Sequence, residues 1–206
     1  MPNWCSNELV VVGPEEPLKD FAEKVKKDVG DDEFNWEKVF PIPDELGDSR
    51  SPTIILGGTP KIDEEGAITQ ERSDYLKKEY GADNWYDWSC DNWGTKWHPK
   101  NAGSVSPCVY DNGRDKDMWI VTVKFDTAWS PPLGVFKRFV SEFPLLAFSL
   151  DYREEGGEFE GMITGAAGEI VEDKNWDIHG KGYDEILYGE LLTLLHTHEG
   201  EEECLK

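Results

Sequence analysis

The sequence predicts an α+β fold, and three observations predict it. Short stretches near both ends carry apolar residues in alternation or in unbroken runs, the signature of strands. Two segments between them carry apolar residues at helical spacing. Glycine-rich turns then join further extended stretches back to back.

Asn3 to Gly13 reads as a strand whose Leu9-Val10-Val11-Val12 run is apolar on both faces, as in a central strand, and Gly13-Pro14 ends it. A helix is expected from about Glu15, with Leu18, Phe21, Ala22, Val25 and Val29 on one face and Gly30 at its C-cap. Phe34 to Trp36 and Val39 to Pro43 look extended, and the prolines exclude a central strand. Asp44 to Asp63 reads as a long loop, and Thr69 or Ser73 caps a helix over Asp74 to Tyr80. In the following segment Tyr86, Cys90, Trp93 and Trp97 share one helix side, while Trp85, Trp88 and Asn92 share another. That division places Trp93 and Trp97 inside and Trp85 or Trp88 nearer the surface. Gly94 interrupts the helix, and Asp111-Asn112-Gly113 signals a turn.

The carboxy-terminal half is plainer. Trp119, Val121, Val123 and Phe125 alternate as a strand, and Ser130-Pro131-Pro132 caps and opens a helix. Leu133, Phe136, Val140 and Phe143 line that helix, and Pro144 stops it. Leu146, Phe148, Leu150 and Tyr152 alternate as a strand, Gly156-Gly157 turns the chain, and Phe159, Gly161 and Ile163 return antiparallel. Gly165 to Gly168 turns again before Glu169-Ile170-Val171, and a last helix from about Asp184 buries Leu187, Leu191, Leu194 and Leu195. A helix thus crosses between neighbouring strands twice, which gives a split βαβ sandwich of ferredoxin-like type. Residues 1–175 form that domain, with a large tryptophan-rich insertion at about 31–116, and 176–206 form a C-terminal helix and acidic tail.

The chain has 206 residues, enough for one domain with insertions. Its 43 acids against 21 Lys and Arg leave a net charge of −22, which argues against direct binding of nucleic acid or of an anionic membrane. A basic protein surface suits that charge. Cys5, Cys90, Cys108 and Cys204 form no CxxC pair, no secretory leader is visible in MPNWCSNELVVVG, and no apolar run reaches the roughly 18 residues of a membrane helix. A cytoplasmic protein with free thiols is expected. No zinc spacing occurs, and Asp111, Asp115 and Asp117 lack the calcium-loop pattern, so no metal or cofactor is expected. GxSxG, P-loop, HExxH and GxGxxG motifs are absent, and His179, His196 and His198 fall in the tail, so catalysis is left open and disfavoured.

Nine tryptophans are present, and Trp85, Trp88, Trp93 and Trp97 fall within YGADNWYDWSCDNWGTKW. This stretch, together with MPNWCSNELVVVG and FDTAWSPPLGVFKRFVSEFPLLAFSLDYREEGGEFEG, resembles the YubB ferredoxin-like family carried by bacteriophages and plasmids. The blocks span most of Met1 to Gly161, and the Trp-Gly-Thr-Lys-Trp and Thr-Ala-Trp-Ser-Pro-Pro words are the specific part. The resemblance implies the same fold, without an iron–sulfur cluster, and an origin on a mobile element. It supplies no activity, so function rests on sites.

Each candidate site has a plain structural alternative. Trp4 and Asn7 sit at the start of a central strand, where they line a cleft or else close the core. Trp85, Asp87, Trp88, Asn92 and Lys96 suit a planar or cationic ligand, or else lock the insertion onto the core. Trp129 stands at a helix start that either holds an anion or is merely capped, and Pro131 and Pro132 remove two N–H donors there. Arg153 grips a carboxylate or phosphate, or pairs with neighbouring acids. These readings favour a non-catalytic phage or plasmid accessory protein that binds a basic host protein in the bacterial cytoplasm, as a nucleic-acid mimic or anti-defence factor. The rival is a small-ligand or nucleotide site in the tryptophan-rich cleft. An open aromatic cleft would favour the rival, and a filled one beside a broad acidic face the protein-binding reading.

Overall fold

The computed structural model describes residues 3–28, 30–56, 66–110 and 118–176. The Asp111-Asn112-Gly113 turn, the helix expected from Asp184, the acidic tail and His179, His196 and His198 lie outside them.

The chain opens with strand β1 (Trp4–Pro14) and helix α1 (Glu15–Lys24), whose Leu18, Phe21 and Ala22 are buried. The helix is shorter than its apolar spacing predicts. Residues after Val25 turn into a hairpin of β2 (Lys26–Asp28) and β3 (Asp31–Phe34), closed at Gly30 with φ +86°. Cross-strand pairs Lys26–Asp32 at 3.0 Å and Lys27–Glu33 at 2.8 Å hold it. Val39 and Phe40 belong to a helical turn on Trp36 and not to an extended stretch, since both amides donate to the Trp36 carbonyl. Short α2 (Asp44–Gly47) lies inside the expected loop. α3 (Gln70–Tyr80) is capped by the Thr69 hydroxyl, and α4 (Trp85–Trp93) begins at Asn84 and ends at Gly94 with φ +85°.

β4 (Cys108–Val109) leads to β5 (Met118–Ala128), α5 (Leu133–Glu142), β6 (Ala147–Glu154), β7 (Glu160–Ala166) and β8 (Glu169–Trp176). They form a six-stranded sheet in the order β4-β5-β1-β6-β7-β8, in which each bonded pair is antiparallel. β1 and β4 flank β5, while β5 and β6 flank β1. β5 and β6 are thus parallel and joined by α5, with β1 between them, which makes a split βαβ unit of ferredoxin-like type within a mixed α+β protein.

Helices α1 and α5 cover one sheet face. Phe21 packs edge-on against Phe139, Phe143 and Phe148 at 5.2–5.6 Å. Leu9, Val11, Val123, Phe136, Leu150 and Ile163 belong to the same buried cluster. Phe34, Trp36, Leu46, Leu76, Trp88 and Trp93 join it, so the described residues between α1 and β4 add to this core. A smaller cluster of Val10, Val12, Ala147 and Ala166 occupies one end of the other face. No helix of the described residues is long and apolar enough to cross a membrane.

Phe136 is 2% exposed and meets Phe148 at 6.3 Å. Phe136→Ala is expected to cost about 3–5 kcal/mol. Denaturant titration measures it, and an unchanged midpoint would remove Phe136 from the core.

Candidate functional site

The two specific sequence words meet in space. Thr95 Oγ1 donates to the Ala128 carbonyl at 3.0 Å, and the Ser130 hydroxyl donates to the Gly94 carbonyl. A Cβ on Gly134 would stand 1.8 Å from the Asn92 carbonyl oxygen, so the start of α5 lies against the end of α4 at a distance only glycine permits. Ser130 thus serves this joint and does not cap α5, whose N-cap is Pro132 without a side-chain bond.

The aromatic cluster beneath the joint is filled. Trp93 is fully buried and donates its indole N–H to the Phe40 carbonyl at 3.0 Å. Trp88 is 5% exposed and packs edge-on against Phe40 and Trp93 at 5.5 and 5.8 Å. Asn92 turns its amide back onto the Trp88 carbonyl at 2.9 Å. Trp85 is half-buried at the head of α4, where its amide donates to Ser49 Oγ, and Asp87 is exposed and accepts from Asn84 Nδ2 at 2.7 Å. The helix-wheel division holds for Trp93 and Trp85, whereas Trp97 is half-buried and Trp88 lies inside. Trp88 faces the core because Phe40, folded back by the turn on Trp36, packs over it.

Lys96 stands among three rings. Its Nζ lies 4.1 Å from the Trp97 centroid, 5.1 Å from Trp129 and 5.3 Å from Tyr86. The protein's own ammonium thus takes the place a ligand cation would have in such a box. Trp129 is 44% exposed at φ +68°, a left-handed conformation that costs a bulky residue energy. Its amide donates to the Asn3 carbonyl at 2.9 Å, beside half-buried Trp4. Asn7 is buried, and its amide donates to the Cys5 and Phe125 carbonyls and to Thr127 Oγ1. Burial pushes the Cys5 thiol up to about 12, so it is no nucleophile near neutral pH.

Asp83 and His98 also titrate away from their ordinary values, and both serve packing. Burial disfavours the Asp83 charge, but bonds from Lys77, Ser73, Thr53 and Asn84 hold its carboxyl well below the ordinary range. His98 lies against Trp93 and Trp36 at 4.6 and 6.0 Å, with Nε2 on the Glu37 carboxylate. Burial keeps His98 below its ordinary value of 6.5, with Glu37 opposing and Lys100 adding to the effect. Among the described residues no group of three or more His, Cys, Asp or Glu could hold a metal ion.

The open region is the sheet face away from the helices. A groove of about 760 Å³ is lined by Ser6, Glu8, Asn101, Lys124, Asp126, Asp151, Arg153 and Glu160, with Asn7, Phe125 and Tyr152 at its edge. Strand register sets Asp126, Ser6, Arg153 and Glu160 in one row and Lys124, Glu8, Asp151 and Met162 in the next. Lys124 pairs with Glu8 at 3.4 Å and Arg153 with Glu160 at 3.6 Å. Asp126 accepts from Ser6 Oγ at 3.0 Å and Asn101 Nδ2 at 2.8 Å. Four carboxylates against two cations leave the lining two charges negative. The candidate residues therefore separate: Lys96 and Trp129 meet at the box, Trp88 and Asn92 belong to the lock, and Arg153 lies in the groove. Sequence reading missed Glu8, Lys124, Asp126, Asp151 and Glu160. Their signal was the polar alternate positions of β1, β5 and β6 and the start of β7, which only the register brings together.

Residues 109–194 match the model of a family described as a ferredoxin-like domain in Api92-like protein. No curated protein matches the chain. A solved structure, the protein api92 from Yersinia pseudotuberculosis, is similar at 12% identity and a TM-score of 0.46, covering 89% of this chain and 100% of that one.

Gly134→Ala is expected to destabilise by about 1–3 kcal/mol through overpacking. Gly47→Ala is the control, since a Cβ there meets nothing within 4 Å. Equal melting temperatures for the two variants would contradict the joint. For His98 the unfolded chain binds the proton more readily than the folded one, so stability falls as pH drops below 6.5 and levels off below the folded pKa. The difference between wild type and His98→Gln, measured by urea titration from pH 7.5 downward, should show that slope. A flat difference would contradict it.

Proposed function

We propose that this chain is a non-catalytic accessory protein of phage or plasmid origin. It acts in the bacterial cytoplasm by binding a host protein with a basic surface, in the manner of a nucleic-acid mimic or anti-defence factor. The observation that carries this reading is the contrast between the two regions. The aromatic cluster is closed by its own side chains, while the groove on the sheet is open and lined by Glu8, Asp126, Asp151 and Glu160. The net charge of −22 supports long-range attraction to a basic partner and opposes contact with phosphates. The mobile-element origin rests on the family resemblance of the Trp-Gly-Thr-Lys-Trp and Thr-Ala-Trp-Ser-Pro-Pro words.

One observation favours a second reading. Trp129 is exposed and strained beside Lys96, and a ring face next to an ammonium suits a nucleotide.

Affinity capture from a bacterial lysate, followed by kinetics with the captured protein, separates the two. Surface charges act over about 8 Å at physiological salt, so association should slow at least tenfold between about 50 and 500 mM salt. Charge reversal at Asp126 or Glu160 should weaken binding without lowering the melting temperature, and Trp129→Ala should leave binding unchanged. Salt-insensitive binding of a nucleotide, lost in Trp129→Ala, would overturn the first reading in favour of the second.

A further inference from the structure

His98 stands where the tryptophan-rich segment returns to the sheet. Its ring lies against Trp93 at the end of α4 and against Trp36 on the turn after β3, at 4.6 and 6.0 Å. Nε2 meets the Glu37 carboxylate, which accepts and cannot donate, so the neutral ring carries its proton there and Nδ1 is bare. Nδ1 is enclosed and has no bonding partner among the described residues. The other enclosed side-chain nitrogen without a partner among them is Trp36 Nε1, an indole N–H that donates and cannot accept. A second proton on His98 would therefore sit on Nδ1, shut away from water and with no described acceptor to meet it. The neutral ring suits this place and the charged ring does not. Burial disfavours the charge most. Of the two charged groups that face the ring, Glu37 on the turn after β3 favours the charge and Lys100 on the ring's own segment opposes it. From α4 the ring meets the uncharged indole of Trp93.

The same segment reaches the groove. Between His98 and Asn101 lie Pro99 and Lys100. Lys100 and Asp126 exchange both backbone bonds, at 2.9 and 2.8 Å, which ties the segment to β5. Asn101, at φ +50°, then donates its side-chain amide to the Asp126 carboxylate at 2.8 Å. Asn101 and Asp126 both line the groove. Lys100 and Asn101 are exposed, so His98, buried Pro99 and the two backbone bonds hold the segment down.

We infer that His98 is a proton-operated latch on the wall of the groove. When neutral it holds residues 98–101 against β5. When protonated its ring leaves toward solvent with Glu37, and the Asn101 side of the groove comes free. Glu37 is about half exposed, so it follows the ring outward without losing the pair. Asp126 then keeps its bond from Ser6 and loses the one from Asn101. Local opening of this kind leaves the rest of the sheet in place.

The test follows the full chain by NMR from about pH 7.5 to about 5, the range in which histidine titrates. Ring nitrogen shifts should place the proton of neutral His98 on Nε2. Exchange protection of the Lys100 and Asp126 amides, corrected for the intrinsic pH dependence of exchange, should fall about tenfold or more across that range. Protection of Val11, bonded between two strands, should stay level. His98→Gln keeps a donor toward Glu37 and does not titrate, so its Lys100 and Asp126 amides should show no such fall. Two exposed substitutions make the test independent of whether His98→Gln folds. Lys100→Gln should move the fall to higher pH, and Glu37→Gln should move it to lower pH. A neutral ring protonated on Nδ1, a fall that persists in His98→Gln, an unmoved midpoint in both charge variants, or a parallel loss at Val11 would overturn the latch. None of these measurements uses a binding partner, so their outcome is independent of the proposed function.

Discussion

Strand β1 is hydrogen-bonded on both sides, in register with β5 from Trp4 to Pro14 and with β6 from Cys5 to Val12. The positions of the other groups follow from that register. Side chains alternate across a strand, so a slip of one residue would exchange the two faces. Leu9 and Val11 would leave the helices, and Glu8 and Val10 would face Phe21 and Phe139. Asn7 pins the register from within. It is the polar side chain of β1 on the helix side, and its amide reaches across to Thr127 and the Phe125 carbonyl on β5 as well as to the Cys5 carbonyl of its own strand. A shifted strand would lose the two cross-strand bonds, at a cost of about 0.5–1.5 kcal/mol each.

The same register places the start of β1 beside the turn before α5, so that Trp129 reaches the Asn3 carbonyl. From there the contacts pass outward. Ser130 holds Gly94, Thr95 holds Ala128, and Gly134 admits the end of α4. These residues make up the two specific words of the sequence, and their common task is to close one joint. The strain at Trp129 is set against its amide bond and its contact with Lys96. A tryptophan-rich segment that looks like a binding motif is here accounted for mainly by packing. Its Trp88 and Trp93 indoles fill space that the sheet and two helices leave open, while Trp85 and Trp97 stay half-buried.

The strands and helices of the second half were legible because their apolar periods are unbroken, as at Val121, Val123 and Phe125 or at Phe136 and Val140. The hairpin after α1 was not, because Lys26 and Lys27 continue a helix pattern and only their ion partners on β3 show the extended form. The capping role expected of Ser130 failed for a similar reason, since its hydroxyl goes to Gly94, far off in sequence. The helix wheel left open which of Trp85 and Trp88 lies nearer the surface, because it cannot show that Phe40 folds back over Trp88. The groove was invisible because each strand contributes only two or three polar residues. Glu8, Lys124 and Asp151 each read as an ordinary solvated position until β1 sets them side by side.

A groove lined only by acids would be a poor recognition site, and the presence of Lys124 and Arg153 among the carboxylates bears on this. Exposed ion pairs such as Lys124–Glu8 and Arg153–Glu160 contribute at most about 1 kcal/mol each, so an incoming cation can displace them at little cost. They also divide the acidic lining into separated places, one at Glu8 and Asp151 and another at Asp126. Uniform negative charge attracts any basic protein, and the net charge of −22 already does that at a distance. Discrimination needs positions where a cation is welcome next to positions where it is repelled. In the proposed function, the overall charge of the chain sets how fast a basic partner arrives, and Lys124 and Arg153 set where along the groove its charges settle.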